Sequence, residues 1–220
     1  MSGIPSSSMP ETSVARTCSQ EVVARSAKLA ASTIHEAAGR IGVLPASIRQ
    51  IVPGLGLAGL AMPVQSPAGD NLWLHRAIYD AGAGDVLVVQ IPENQEYGYW
   101  GEIMSVAAQV RKLGGLVING CVRDVGVLKS IGFPVFARGL CIRGTGKDHG
   151  AIGFINQPVR FPGVTVHPGD LIVGDADGVV CIPSARAADV VHEAERRTAK
   201  EAEILQRLRA GERTLEVYQF

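Results

Sequence analysis

Two short apolar runs in the middle of the chain, over residues 86–90 and 115–119, contain no charged side chain. Runs of this length and composition are typical of strands that are buried on both faces. A helical spacing of apolar residues lies between them and predicts an amphipathic helix that begins near Gly101. The predicted buried face of this helix consists of Ile103, Val106, Ala107, Val110 and Leu113.

The flanking segments predict further helices and strands. Two helical segments are predicted before residue 41, and short strands joined by Pro-Gly and Asp-Gly turns are predicted over 157–183. A long helix with one charged face is predicted over 184–210, and it is of a length that can reach a neighbouring subunit. This order predicts one layered α/β domain with mixed sheets over residues 17–220. Residues 1–16 are rich in Ser and Pro and predict a flexible arm.

Composition narrows the range of partners and compartments. The 220 residues carry 21 basic and 21 acidic side chains, which gives no electrostatic signature of nucleic-acid or membrane-surface binding. The N-terminus lacks the apolar core of a signal peptide, and no apolar run is long enough to span a membrane. The four cysteines form no CxxC pair, which favours free thiols in a reducing compartment. We therefore expect a cytoplasmic protein.

The candidate chemistry lies at both ends of the central helix–strand unit. Twenty residues, about one helix and one strand, separate Glu102 from Arg123, so the chain returns near its starting level and the two side chains can converge with Asp124. Carboxylates beside a guanidinium suit a divalent cation and an anionic, oxygen-rich substrate. The unpaired backbone amides of residues 101–104 offer a carboxylate site at the helix N-terminus. Alternatively, Arg123 and Asp124 form a surface ion pair, and Glu102 only complements the helix dipole.

Two further segments leave alternatives open. The loop over 139–150 carries Arg143, Lys147 and His149 between glycines, and it is either a charged surface loop or the rim of a pocket. It does not match a phosphate-binding loop, because Asp148 follows Lys147. His75, on a predicted helix over 71–80, is either a core or interface histidine or a residue that faces a cleft.

Several motifs together resemble one known family. The chain resembles the family that includes the regulator of ribonuclease activity A and the 4-hydroxy-4-methyl-2-oxoglutarate/4-carboxy-4-hydroxy-2-oxoadipate aldolases. The resemblance covers most of the chain from about residue 32 to 211. The motifs that carry it are IHEAAGR (34–40), GDNLWLH (69–75), GDVLVVQ (84–90), GE (101–102), GGLVINGCVRD (114–124), FPVFARG (133–139), HPGDLIVGDADGVVCIP (167–183) and AKEAE (199–203).

The resemblance implies a fold and an assembly. It implies a single-domain αββα sandwich with mixed sheets and a long C-terminal helix. It also implies a homotrimer or homohexamer with sites between subunits.

The resemblance also implies roles for particular residues in a class II aldolase that uses Mg²⁺ or Mn²⁺. Arg123 binds substrate and acts in catalysis, and Asp124 binds the metal. Glu102 acts in catalysis and holds the metal through water. Glu201, from the C-terminal helix of a neighbouring subunit, holds it in the same way, although on sequence alone Glu201 could equally lie on a solvated face. The implied substrate-binding residues at the helix start are Gly101, Glu102, Ile103 and Met104.

The function that the resemblance implies is cleavage of a 2-oxo acid. The expected products are pyruvate plus a second pyruvate or oxaloacetate, and decarboxylation of oxaloacetate is the expected side activity because both reactions form the same enolate. Such enzymes act in aromatic catabolism. The alternatives are an enzyme that mainly decarboxylates oxaloacetate and a non-catalytic regulator that binds ribonuclease E.

Overall fold

The computed structural model describes residues 18–92 and 95–220, so the predicted arm over 1–16 lies outside the described residues. The helices are α1 (Gln20–Ser26), α2 (Ala31–Ala37), α3 (Leu72–Asp80), α4 (Glu102–Val110), α5 (Val125–Ile131), α6 (Ala187–Arg209) and α7 (Thr214–Tyr218). The strands are β1 (Arg49–Gln50), β2 (Leu57–Gln65), β3 (Val86–Gln90), β4 (Gly98–Trp100), β5 (Gly115–Val122), β6 (Val135–Leu140), β7 (Phe154–Ile155), β8 (Val159–Phe161), β9 (Val164–Val166), β10 (Leu171–Asp175) and β11 (Gly178–Ile182).

The larger sheet is mixed and nearly closed. Its main path runs β1-β6-β5-β3-β2-β10-β11, with β4 paired to β5 and β7 paired to β2. The pairs β2–β3, β3–β5 and β5–β6 are parallel, whereas β10 is antiparallel to both β2 and β11. The two ends of the path, β1 and β11, contact each other. A separate antiparallel pair, β8–β9, packs against this sheet.

Alternation along the strands divides the side chains among three apolar clusters. In β3, Leu87 and Val89 face the cluster beneath α3, α4 and α5, whereas Val86 and Val88 face the interior between the two halves of the sheet. The strand β10 alternates in the same way between that interior and the cluster beneath α1, α2 and α6. Because residues 86–89 of β3 and 171–173 of β10 all enter a core, these stretches of the sequence must be uncharged. The layers are therefore helices, sheet, sheet and helices, which confirms the αββα sandwich with a long C-terminal helix.

The predicted buried face of α4 is wrong at three of its five positions. Ile103, Val106 and Val110 are 79%, 43% and 75% exposed. Ala107 packs against the core as predicted, and Leu113, beyond the helix, is buried. The face that packs on the sheet instead carries three smaller or flexible residues, Met104, Ser105 and Ala108. A hydrogen bond from the Trp100 indole to Ser105 holds Ser105 on the inner face of α4. With Ser105 inside, the branched side chains of the helix point outward.

The remaining differences are local. The sequence does not predict β4, which forms over Gly98–Trp100 and pairs in parallel with the extension of β5 beyond residue 119. The helix predicted from residue 184 begins as a short 3-10 turn over Ser184–Arg186 that leads into α6. Three of the four cysteines are buried and all four are free, as expected. No helix within the described residues is long and apolar enough to cross a membrane.

A buried carboxylate joins the hairpin region to the start of α6. Asp170 is 4% exposed, and its two oxygens accept hydrogen bonds from the backbone N–H groups of His167 (2.8 Å) and Ser184 (3.0 Å). Burial raises the pKa of the Cys181 thiol well above its usual range, so this thiol remains protonated and donates to Asp170. Asp170 thus satisfies donors from three separate segments.

Replacing Asp170 with alanine should lower the free energy of unfolding by about 2–3 kcal/mol, because donors that are largely shielded from water lose a charged acceptor. Urea denaturation measures the loss. Asp80→Ala is the matched control, since Asp80 is exposed at the end of α3, and it should change the same quantity by less than about 0.5 kcal/mol. Equal effects of the two substitutions would show that Asp170 does not hold these segments together.

Candidate functional site

The end of β4 places the start of α4 beside the end of β5. Trp100 is fully buried, stacks on Phe133 with ring centroids 6.0 Å apart, and donates from its indole N–H to Ser105 Oγ at 2.7 Å. Its carbonyl accepts the backbone N–H of Arg123 at 2.8 Å. One buried aromatic residue therefore positions both the N-terminus of α4 and the Arg-Asp pair that follows β5.

A close contact between Gly101 and Asp124 defines the site. The backbone N–H of Glu102 donates to Asp124 Oδ2 at 3.0 Å. A Cβ atom at position 101 would overlap that same oxygen, so only glycine permits the approach. Asp124 has a left-handed backbone with φ of 61°, which costs roughly 1–2 kcal/mol in a residue other than glycine. Backbone strain of this kind is common at functional sites.

These residues line a cavity of about 210 Å³. Its wall includes Arg123, whose Nε lies 3.7 Å from Asp124 Oδ2. The full lining is Asn71, His75, Gly98, Tyr99, Trp100, Gly101, Ile103, Met104, Arg123, Asp124, Gly144, Thr145 and Lys147. The cavity thus lies between the N-termini of α3 and α4, the end of β5, and the glycine-rich loop.

The glycine-rich loop is held against the start of α3 by Asp70. This carboxylate is 4% exposed and accepts from the N–H of Leu72 at 2.8 Å and from the N–H of Asp148 at 2.5 Å. The N–H of Gly146 also donates to the carbonyl of Gly69 at 2.7 Å. These bonds bring Lys147 to the cavity wall. Of the two interpretations of this loop, the structure supports the pocket rim.

The charges in the cavity wall favour an anionic ligand. Arg123 and Lys147 supply two cations, and Asp124 supplies one carboxylate. His75 is half-buried, and this burial lowers the pKa of its imidazole. The positive charge of Lys147 lowers that pKa further, and the negative charge of Asp70 raises it in part. The imidazole is therefore neutral near pH 7 and adds no positive charge. His75 faces the cleft, which was one of its two open interpretations.

Most of the predicted site residues converge, and two stand apart. Arg123, Asp124, Gly101, Ile103 and Met104 all line the cavity. The side chain of Glu102 is exposed and is not part of the lining, and its N–H is already bonded to Asp124. Glu201 lies on α6, where it pairs with Arg197 at 2.9 Å, and it is not part of this cavity in the same chain. The roles assigned to these residues stay predictions.

The sequence pattern does not indicate several of the lining residues, among them Asn71 and Tyr99. Asn71 begins the helix predicted over 71–80, and Tyr99 precedes the helix predicted from Gly101, yet both line the cavity. Asn71 and His75 are four residues apart at the start of α3, a spacing that places both on one helical face. That spacing could have indicated Asn71. Tyr99 is fully buried, and nothing in the sequence distinguishes it from a core aromatic residue.

Comparison with known proteins finds matches to one family. Residues 29–181 match the family model RraA-like, described as Aldolase/RraA. A Halalkalibacterium halodurans protein named "Putative 4-hydroxy-4-methyl-2-oxoglutarate aldolase" is 35% identical over 166 residues, which cover 76% of this chain and 78% of that protein.

Solved structures agree at the level of the fold. An uncharacterized protein from Pseudomonas syringae superposes with a TM-score of 0.78 at 27% identity, covering 91% of this chain and 98% of its own. The RNA-processing inhibitor RraA from Thermus thermophilus superposes with a TM-score of 0.64 at 22% identity. The match covers 70% of this chain and 92% of that chain, and it shows the fold alone. The family model covers more than half of the chain. The chain therefore belongs to the RraA-like family.

Proposed function

We propose that this protein is a divalent-metal-dependent aldolase that releases pyruvate from 4-hydroxy-2-oxo acids. The proposed substrates are 4-hydroxy-4-methyl-2-oxoglutarate and 4-carboxy-4-hydroxy-2-oxoadipate, with oxaloacetate decarboxylation as a side activity. The observation that carries the proposal is the convergence of Arg123, Asp124 and the first turn of α4 on one cavity whose wall also includes Lys147. The name of the H. halodurans relative agrees with this chemistry.

The donor set fits a hard cation such as Mg²⁺ or Mn²⁺. Asp124 Oδ2 is engaged by the Glu102 N–H and Arg123, which leaves Oδ1 without a hydrogen bond to any described residue. A carboxylate oxygen is the ligand that Mg²⁺ prefers, and this ion keeps several waters that Glu102 can hold. No group of three or more His, Cys, Asp or Glu residues within 18–92 and 95–220 could hold a metal. We therefore propose that a neighbouring subunit supplies a further carboxylate, that of Glu201, to the metal site.

The reaction breaks the bond between carbons 3 and 4 of the substrate. The electron pair of that bond moves into the 2-oxo group and forms an enolate, while the carbon 4 hydroxyl loses its proton to a base and becomes a carbonyl. A proton added to carbon 3 then gives pyruvate. A divalent ion at this site supplies Lewis-acid stabilisation of the negative charge that develops on the keto oxygen. Arg123 donates hydrogen bonds to the same developing charge, which contributes in the transition state more than in the ground state. Loss of carbon dioxide from oxaloacetate leaves the same enolate.

The second carboxylate of the proposed substrates meets Lys147 across the cavity. This lysine is held by the loop bonds to Asp70, so its position is set before the substrate binds. Since His75 is neutral, Arg123 and Lys147 supply the positive side-chain charge of the wall. This charge arrangement supports a 2-oxo acid with two or more carboxylates over a monocarboxylic one.

The exposed apolar face of α4 supports the proposed homotrimer or homohexamer. Ile103 and Val110 are 79% and 75% exposed, and Tyr79 on the adjacent helix α3 is 63% exposed. Exposed apolar residues that cluster on a soluble protein mark contact surfaces. Because this face begins at the cavity, a neighbouring copy seated there can place its own carboxylate close to Asp124.

Two alternatives remain as outcomes of the same assays. An enzyme that mainly decarboxylates oxaloacetate would show the higher kcat/KM on that substrate. A non-catalytic regulator would release pyruvate from neither substrate, and its partner would then be sought by pull-down with ribonuclease E. The Arg123–Asp124 arrangement and the strained backbone of Asp124 favour catalysis, because a surface binder has no need of them.

Asp124→Ala should abolish pyruvate release from 4-hydroxy-4-methyl-2-oxoglutarate and from oxaloacetate. Losing several kcal/mol of charge stabilisation corresponds to a fall in kcat of roughly 10³-fold or more. Excess chelator should have the same effect on the wild type, and added Mg²⁺ should reverse it. Asp177→Ala, in the exposed β10–β11 turn, should retain wild-type rates. Full activity of Asp124→Ala, or activity in chelator, would refute the metal site.

Gly101→Ala should impair the site without unfolding the protein. The new Cβ overlaps Asp124 Oδ2, so the carboxylate must move, and we expect a fall in kcat of roughly 100-fold together with a higher Mg²⁺ requirement. Rates measured across Mg²⁺ concentrations, beside thermal melting, test this expectation. Gly126→Ala in α5 is the control, because a Cβ there meets nothing within 4 Å. It should retain activity and raise stability by up to about 1 kcal/mol. Equal rates for the two variants would contradict the proposed role of the contact.

A further inference from the structure

One buried side-chain acceptor of a cavity-lining residue, Asn71 Oδ1, has no donor among the residues that the structure describes. Asn71 is 6% exposed and lies directly before α3. Its amide nitrogen donates to the carbonyl of Tyr99 at 2.9 Å and contacts Met104 Sδ at 3.4 Å. Its Oδ1 atom is buried and accepts no hydrogen bond from any residue that the structure describes.

The orientation of this amide is determined by its neighbour. Exchanging the oxygen and nitrogen would set Oδ1 against the Tyr99 carbonyl, and two acceptors at 2.9 Å repel each other. Asn119 gives an internal comparison, because both of its amide atoms bond to the backbone of Ile91, at 2.6 and 2.8 Å. Buried side-chain acceptors are rarely left unsatisfied in folded proteins. An unpaired Oδ1 on a cavity-lining residue therefore indicates that the ligand carries the donor.

The chemistry of a 2-oxo acid restricts what that donor can be. Its carboxylates are acceptors only at neutral pH, and its keto oxygen is also an acceptor. A hydroxyl group is the remaining donor on the proposed substrates. Lys147, in the same wall, is a donor and so suits a carboxylate rather than a hydroxyl.

We propose that Asn71 Oδ1 accepts a hydrogen bond from the carbon 4 hydroxyl and thereby selects aldol substrates over oxaloacetate. This inference rests on the proposed aldolase function. Asn71 accepts this hydrogen bond in the bound substrate and takes no proton, so its effect falls on the binding of hydroxylated substrates. The O–H bond turns from Asn71 toward the base before the bond between carbons 3 and 4 breaks. Oxaloacetate has no hydroxyl in its keto form, and its decarboxylation is independent of this contact.

The test compares two reactions in one variant. In Asn71→Ala, kcat/KM for 4-hydroxy-4-methyl-2-oxoglutarate should fall roughly 10- to 100-fold, mainly through KM, because a site built to bind a hydroxyl loses its acceptor. The value for oxaloacetate should change by less than about 3-fold. Asn119→Ala is the matched control, since it removes an asparagine bonded to the backbone outside the cavity. That control should lower the melting temperature and leave the ratio of the two reactions unchanged.

Equal losses in both reactions of Asn71→Ala would assign the residue a structural role and overturn the inference, as would no loss in either. If the wild type releases no pyruvate from either substrate, the aldolase proposal fails, and calorimetry decides the remaining point. With Mg²⁺ present, 4-hydroxy-2-oxoglutarate should bind the wild type more tightly than 2-oxoglutarate, which lacks only the hydroxyl, and Asn71→Ala should bind the two alike. Equal affinity of the wild type for both acids, or binding of neither, overturns the inference independently of turnover.

Discussion

The hydrogen bond from the Glu102 amide to Asp124 is the contact on which the site depends. It joins the first turn of α4 to the residue that follows β5, at a separation of 3.0 Å. Two local conditions allow it, the absence of a Cβ at Gly101 and the left-handed backbone of Asp124. Neither condition is favourable by itself. Glycine stabilises a helix N-terminus less than an N-cap residue such as serine or aspartate, and the left-handed backbone of Asp124 is strained. The surrounding fold must therefore hold both, and the buried Trp100 does so from the next residue.

Buried polar groups of the cavity complete this arrangement from the opposite side. Asp70 satisfies amides of α3 and of the glycine-rich loop, so the loop that carries Lys147 is part of the framework and not a loose rim. A buried carboxylate is stable only when such donors surround it. Asn71, the next residue, has its amide nitrogen engaged and its oxygen unpaired. Of these two adjacent residues, Asp70 holds the framework behind the cavity, and Asn71, in the wall, is the one we propose to bind a ligand.

The sequence predicted the features that depend on local pattern. The uncharged run of β3 predicted a strand buried on both faces, and the spacing between Glu102 and Arg123 correctly placed the backbone of the α4 start beside the end of β5. It could not predict which face of α4 packs on the sheet. The spacing of apolar residues is the same whether a helical face packs on the core or on another subunit. It could not reveal β4 either, since three residues acquire strand character only by pairing with β5. The need for glycine at 101 likewise arises from a residue far along the chain.

The outward rotation of α4 links the apolar surface to the cavity. Ile103 is 79% exposed and also lines the cavity, so one residue belongs to both. A copy of the chain that covered this face would exclude water from the mouth of the cavity. Excluding water would strengthen the interactions of Arg123 and Asp124 with a charged ligand, because the same charges act in a lower dielectric. Those two side chains are 44% and 39% exposed in the single chain, where solvent screens them. The proposed approach of a second subunit would therefore both cover the exposed apolar residues of α4 and strengthen the binding of an anion in the cavity.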